Sequence, residues 1–161
     1  MSSDVAQKDL AAALGRVPSG IFIVTAKKGD AETGMLASWL QQCSFSPPQI
    51  SLAVRKDRYL NDWLVDGAPF VVNILDARQT DLLSHFGKGF APNEPAFTGL
   101  EISRLDDGPP ILNRALAYLD CRVSGRFAAG DHNLVIGTIV GGKLLNQGEP
   151  MVHIRKNGLS Y

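Results

Sequence analysis

The sequence predicts a mainly β protein: an antiparallel barrel of Greek-key type with short flanking helices. Three observations carry this. Runs rich in Val, Ile, Phe and Thr recur between turn residues, at 20–27, 49–55 and 70–75. Two long strand-like segments, 115–128 and 132–145, face each other across a tight turn at Ala129-Gly130-Asp131. The helical stretches are short and follow no regular βαβ alternation, which disfavours a doubly wound sheet.

The elements follow in order. Residues 3–14 read as a helix, with Ser3 or Asp4 as cap and Val5, Leu10, Ala13, Leu14 and Val17 at helical spacing. Pro18-Ser19-Gly20 breaks it, and GIFIVTAK is a buried strand. Lys28-Gly29-Asp30 is a hairpin turn leading to a strand at about 33–39, and another strand covers 49–55. DRYLNDWLVDG is a short helix, with Asp57 as expected cap and Gly67 as stop. FVVNIL is a strand, and Arg78 to Phe86 a second short helix with Leu82, Leu83 and Phe86 inward. From Gly87 to Pro110 the pattern lapses, as a lid or an interface loop would. The two long strands follow, and MVHIR closes the chain as a last strand.

Composition bounds the function. The 161 residues suit one domain, with an N-terminal helix over 1–17 and the barrel over 18–161. Apolar content is 45% and charged content 20%, as in an ordinary globular chain. Sixteen basic residues balance sixteen acidic ones, which argues against a general nucleic-acid partner. No apolar run approaches the roughly 18 residues of a membrane span. MSSDVAQKDL lacks the basic and apolar regions of a signal peptide, so a cytoplasmic location is expected. Cys43 and Cys121 are far apart and are expected to stay reduced.

The chemistry concentrates in GMLASWLQQCSFSPP, residues 34–48. Ala37 and Ser38 would let backbone approach a flat ligand closely, and Met35 and Trp39 could cover a ring. Lys56-Asp57-Arg58 stands at a strand-to-helix junction, where free N–H groups attract anions. The rival reading is a capped helix with solvated cations. His132 follows Asp131 in a turn, and Asp131 could orient the imidazole, although neighbours on a strand point to opposite faces. The rival reading is a solvated turn histidine. His85 and His153 read as structural or surface residues. Histidines and cysteines lack ligand spacing, so no metal site is expected. There is no Gly-x-Ser-x-Gly elbow, no dinucleotide fingerprint at Gly87 and Gly89, and no P-loop.

LGRVPSGIFIVTAKKGDAETGMLASWLQQCSFSPPQISLAVRKDR resembles the start of the flavin reductase-like, FMN-binding split-barrel family. The resemblance runs on through PFVVNIL, the Gln79 to Phe86 helix and GDHNLVIGTIVGG, over about 150 residues. GMLASW with the later KDR is most similar to the flavin reductase domain at the C-terminus of cyanobacterial flavodiiron proteins. The resemblance implies an NAD(P)H:flavin oxidoreductase, a homodimer that binds FMN, or sometimes FAD, near the subunit interface. Met35, Leu36, Ala37, Ser38 and Trp39 would lie along the isoalloxazine and ribityl chain. Gln41, Cys43 and Ser44 would continue that wall, Lys56 and Arg58 would meet the phosphate, and His132 would stand near the flavin and the nicotinamide site. Where this chain has Leu36-Ala37-Ser38-Trp39, many simpler relatives carry Thr-Ser-Ser. The alternative is a non-enzymatic flavin-binding or electron-transfer module of a larger flavodiiron-type protein, whose core would accept the electrons. A third reading within the same fold, a pyridoxamine-phosphate-oxidase-like enzyme, is disfavoured because the substrate-phosphate residues expected of it at its C-terminal end are not evident.

Overall fold

A computed structural model describes residues 3–161. Helix α1 (Ser3–Leu14) leads into a short strand, β1 (Ser19–Gly20), and then the hairpin of β2 (Phe22–Lys28) and β3 (Ala31–Ala37). Strands β4 (Leu40–Phe45) and β5 (Pro48–Arg55) form a second hairpin around a cis Ser46-Pro47 bond. One helical turn, α2 (Leu60–Trp63), precedes β6 (Pro69–Ile74), and α3 (Thr80–Gly87) follows it. After β7 (Ile102–Ser103) and β8 (Ile111–Leu112) come the long strands β9 (Ala117–Ala129) and β10 (His132–Leu144). The last strand, β11 (Val152–His153), pairs with β1.

Seven strands form one antiparallel sheet in the order β3-β2-β6-β9-β10-β5-β4. Its two edge strands are consecutive in sequence. Only Ser38 and Trp39 separate Ala37 from Leu40, and three residues of chain reach at most about 11 Å. The sheet must therefore curl until its edges approach at this end, which is how the expected barrel arises. Trp39 stands where they meet, and its carbonyl accepts from the Ala53 N–H at 3.0 Å.

One face of the sheet encloses a core of Val24, Leu52, Val54, Phe70, Val72 and Val135, plugged by Leu60, Trp63 and Leu64. The other face carries a second core in which Ile21, Ile23 and Leu75 meet Leu82 and Phe86 of α3. Ala96, Phe97 and Leu112 complete it. Ala96 and Phe97 of the irregular 87–110 segment are thus buried in this core, with Phe90, Leu100 and Ile102 packed against it. Asn73 ties β2 to β8, donating from Nδ2 to the Ile23 carbonyl and accepting the Leu112 N–H at Oδ1.

Four other expectations change. Asp57 does not cap α2: the residue before that helix is Tyr59, with no side-chain cap bond, and Asp57 pairs with Arg55 at 3.0 Å. The helix is a single turn because Leu64 already leaves helical geometry. Residues 40–45 form an edge strand whose polar alternation gave no strand signal. The MVHIR strand shrinks to Val152–His153, since its only partner strand is two residues long. Finally, α1 forms as expected, yet none of its side chains is buried: Val5 is 44% exposed and Leu10 52%.

Candidate functional site

A cavity of about 660 Å³ opens where the sheet edges converge. That volume lies in the ~300–1,000 Å³ range usual for small-molecule sites. Strand β3 forms its apolar wall, with Met35, Leu36, Ala37, Ser38 and Trp39 all lining it. These residues reach the cavity because β3 is an edge strand with one side free of a neighbour. Leu83 and Phe86 of α3 back the wall, and Gly87, Lys88, Gly89 and Phe90 form a loop at the rim.

The lining is also basic. Arg55 and Arg58 come from the end of β5 and the corner after it, Lys88 from the rim loop, and Arg155 and Lys156 from the segment after β11. No Asp or Glu side chain among the described residues lines the cavity. Asp57 engages Arg55 from outside, but Arg58, Arg155 and Lys156 have no carboxylate partner among the described residues. Such a lining favours an anionic ligand group through charge-assisted hydrogen bonds.

Tyr59 ties the rim to the barrel. Its hydroxyl donates to the Phe90 carbonyl at 2.8 Å, so the Thr33 hydroxyl, 2.7 Å away and buried, donates to it in turn. Lys88 Nζ lies 5.0 Å from the Phe90 ring centroid, a cation–π contact.

His132 stands one layer behind this wall. In the β5–β10 ladder it sits opposite Arg55, and the Lys56 N–H donates to the Asp131 carbonyl, so the 55–58 corner and the 131–132 turn are stitched together. The imidazole is buried. Nδ1 lies 2.7 Å from Asp131 Oδ1, which accepts. On the other side of the ring Nε2 lies 2.8 Å from the Tyr161 hydroxyl. The hydrogen bond from His132 holds the Asp131 carboxyl below its ordinary range. Burial raises Tyr161 above the ordinary phenol range, while Arg55, Arg58 and Arg155 pull it back. Trp39 covers the group, its ring centroid 4.9 Å from that of His132 and 5.8 Å from that of Tyr161, with the Arg155 guanidinium 4.9 Å over its face.

The structure therefore brings Met35 to Trp39 and Arg58 to one cavity, with His132 behind it. It carries Gln41, Cys43 and Ser44 elsewhere, onto β4, which leaves the cavity mouth along the sheet edge. Lys56 is exposed and outside the lining, because the chain turns between Arg55 and Arg58 and alternate residues point apart. Sequence reasoning passed over Arg55, Tyr59, Lys88, Arg155, Lys156 and Tyr161 as site residues. The signal was present in two places: a lysine between two glycines at 87–89, and the basic, aromatic-ended RKNGLSY. Among the described residues no cluster of His, Cys, Asp and Glu is arranged to hold a metal ion. No helix there is long and apolar enough to cross a membrane.

Comparison with known proteins fits this geometry. The model of the flavin reductase like domain family matches residues 14–158. The chain is 41% identical over 155 residues to diflavin flavoprotein A 1 of Synechocystis sp., matching 95% of this chain and 27% of that protein. It spans about a quarter of the length of the curated relatives it matches. Streptomyces globisporus NADH:FAD oxidoreductase SgcE6 superposes with a TM-score of 0.84 at 24% identity, covering 97% of this chain and 92% of that one. Flavin reductase HpaC, solved with NADP+, superposes with a TM-score of 0.78 at 22% identity, covering 96% and 95%.

Proposed function

The chain belongs to the flavin reductase-like domain family, and on that premise we propose that it binds FMN in the β3 cavity and reduces it with NAD(P)H. The observation that carries the reading is the pairing, in one lining, of an apolar, small-residue wall with cations and no Asp or Glu side chain among the described residues. A flat heteroaromatic ring with a phosphorylated chain needs both. FAD would use the same wall.

Each residue has a physical task. Ala37 and Ser38 let backbone approach the ring, while Met35 and Trp39 exclude water from it. Arg58 holds the phosphate. Tyr59 and Thr33 keep the rim loop seated on the barrel. His132, oriented by Asp131, stands behind the wall, and its Nε2 meets the cavity side through Tyr161. The bound flavin supplies the hydride-accepting chemistry.

The functional unit is a homodimer in the cytoplasm, in which α1 and the exposed Phe45 and Phe127 find cover. The second reading, an electron-transfer module serving a flavodiiron-type core, draws on one observation: relatives named diflavin flavoproteins are about four times as long as this chain. The absorbance spectrum of protein incubated with FMN and gel-filtered, then its bleaching by NADH or NADPH under argon, tests both. A bound flavin that bleaches supports the enzyme. One that stays oxidised supports the module, and no bound flavin overturns both.

A further inference from the structure

The segment after β11 enters the site from outside, and its two halves are held differently. The first half is clamped on the end of α1. A Cβ on Gly15 would stand 2.3 Å from the Arg155 carbonyl oxygen, and one on Gly158 would stand 2.1 Å from Leu14 Cβ. The Gly158 N–H donates to the Ala11 carbonyl at 2.8 Å. Past Gly158 the hold is local: the Leu159 N–H donates to Asn157 Oδ1 at 2.8 Å and Arg155 donates to the Ser160 carbonyl at 3.5 Å. Leu159 is 49% exposed and Tyr161 73% exposed. Yet the Tyr161 hydroxyl reaches the buried His132 Nε2, and its ring leans on Trp39. The phenol is held by one hydrogen bond and by tilted ring contacts with Trp39 and His132, a modest hold that a ligand can displace. No other group among the described residues bonds His132 Nε2, so a ligand that bonds this nitrogen takes the place of the Tyr161 hydroxyl.

We propose that Tyr161 is a displaceable placeholder for the nicotinamide ring, seated against Trp39 and His132 until a nicotinamide dinucleotide takes its position. This rests on the flavin reductase reading above. Nicotinamide is a flat ring of similar width, and its carboxamide can both donate and accept, so it replaces the phenol hydroxyl at Nε2. Its diphosphate supplies what a neutral phenol lacks, negative charge beside Arg155 and Lys156. Those two cations come from the tail itself, apart from Arg58, so the clamped first half stays as a binding wall while the tip swings out. A ring that must be expelled lowers apparent affinity by the fraction of time it is seated.

FMN affinity is measured first, by absorbance, for the natural protein, Y161A and R155A. The FMN-loaded proteins are then titrated with NAD+ as a non-reducing ligand, and KM is measured for NADH and NADPH. FMN is then held well above the affinity measured for each protein, so that NAD+ binding is read on the loaded form. Y161A should bind NAD+ about tenfold more tightly, with KM falling in parallel, and R155A about threefold or more weakly. Unchanged or weaker NAD+ binding in Y161A, with FMN binding intact, overturns the placeholder. Loss of FMN binding by the natural protein overturns the flavin reading itself, and is seen in the first measurement alone.

Discussion

Asp131 Oδ1 lies 2.7 Å from Nδ1 of its own neighbour, His132, with the carboxylate 88% exposed and the imidazole side chain only 7% exposed. Side-chain alternation along a strand would forbid this. It is allowed because β10 begins at His132, while Asp131 is still in the turn, where Gly130 takes a φ of 60°. The turn thus aims a solvated carboxylate back at a buried ring. His132→Ala should slow flavin reduction by about tenfold to a hundredfold, or about 1.4–2.7 kcal/mol of barrier. Stopped-flow reduction with NADH and NADPH reads this directly, and unchanged rates with both would leave His132 a structural residue.

The two basic residues of the Lys56-Asp57-Arg58 group should now behave differently. Arg58 lines the cavity and Lys56 does not. Arg58→Ala should weaken FMN about tenfold or more and riboflavin hardly at all, since a charge-assisted hydrogen bond to phosphate is worth about 1.5–3 kcal/mol. Lys56→Ala should change neither affinity by more than about twofold. Fluorescence titration with both ligands decides the matter, and equal losses for FMN and riboflavin in Arg58→Ala would remove the phosphate assignment.

The barrel strands were legible because their apolar character is local: β2, β5 and β6 carry runs of Val, Ile and Phe that no helix period explains. The small residues of β3 and the arginine at 58 were legible for the same reason, as chemistry held within a few positions. What failed was non-local. The polar β4 owes its existence to pairing with β5, and the tail owes its place to glycines at 15 and 158 that let two backbones touch. Tyr161 and Trp39 are 122 positions apart, and nothing in either neighbourhood announces that they share one imidazole.

Acid should expose a second charged contact. The Asp76 side chain is only 7% exposed, and it accepts from both the backbone N–H and Nε of Arg78. The Arg78 hydrogen bond holds its pKa at about 2, below the 3.8 of a free aspartate. A depressed carboxyl pKa stabilises the fold above the unfolded value and loses that contribution as pH falls from 3.8 through about 2. Urea midpoints for the natural protein should therefore drop across this window, and Asp76→Asn should show a shallower drop. Equal slopes would mean the contact contributes nothing that titrates.

Helix α1 buries none of its side chains, although Val5, Leu10 and Leu14 are among them. An amphipathic helix is stabilised mainly by packing its apolar stripe, so a helix left bare in one chain calls for a second surface. Sedimentation at micromolar concentration should give about twice the 17.3 kDa chain mass. Leu10→Asp with Leu14→Asp should shift the species toward one chain mass. A clean monomer in the natural protein would remove the argument.

Gly15 offers a way to disturb the tail without touching the cavity. It follows α1 directly and extends the helix by one bond, its N–H donating to the Ala11 carbonyl at 3.1 Å. The atom a new Cβ would meet is the Arg155 backbone oxygen, at 2.3 Å, and a carbonyl cannot rotate aside as a side-chain tip can. Either the tail or the end of α1 must move. Overpacking of this kind costs about 1–3 kcal/mol, partly offset because alanine favours the helix more than glycine does. Gly15→Ala should therefore lower the melting temperature by several degrees while the barrel strands stay intact. Its effect on the nucleotide should resemble that of moving the whole tail: Arg155 and Lys156 shift with Tyr161, so NAD+ binding should weaken, the opposite of the result expected for Y161A. Thermal melts with and without FMN, beside the NAD+ titration, separate the two. Tighter NAD+ binding in Gly15→Ala would show that the clamped half of the tail obstructs the site instead of forming its wall.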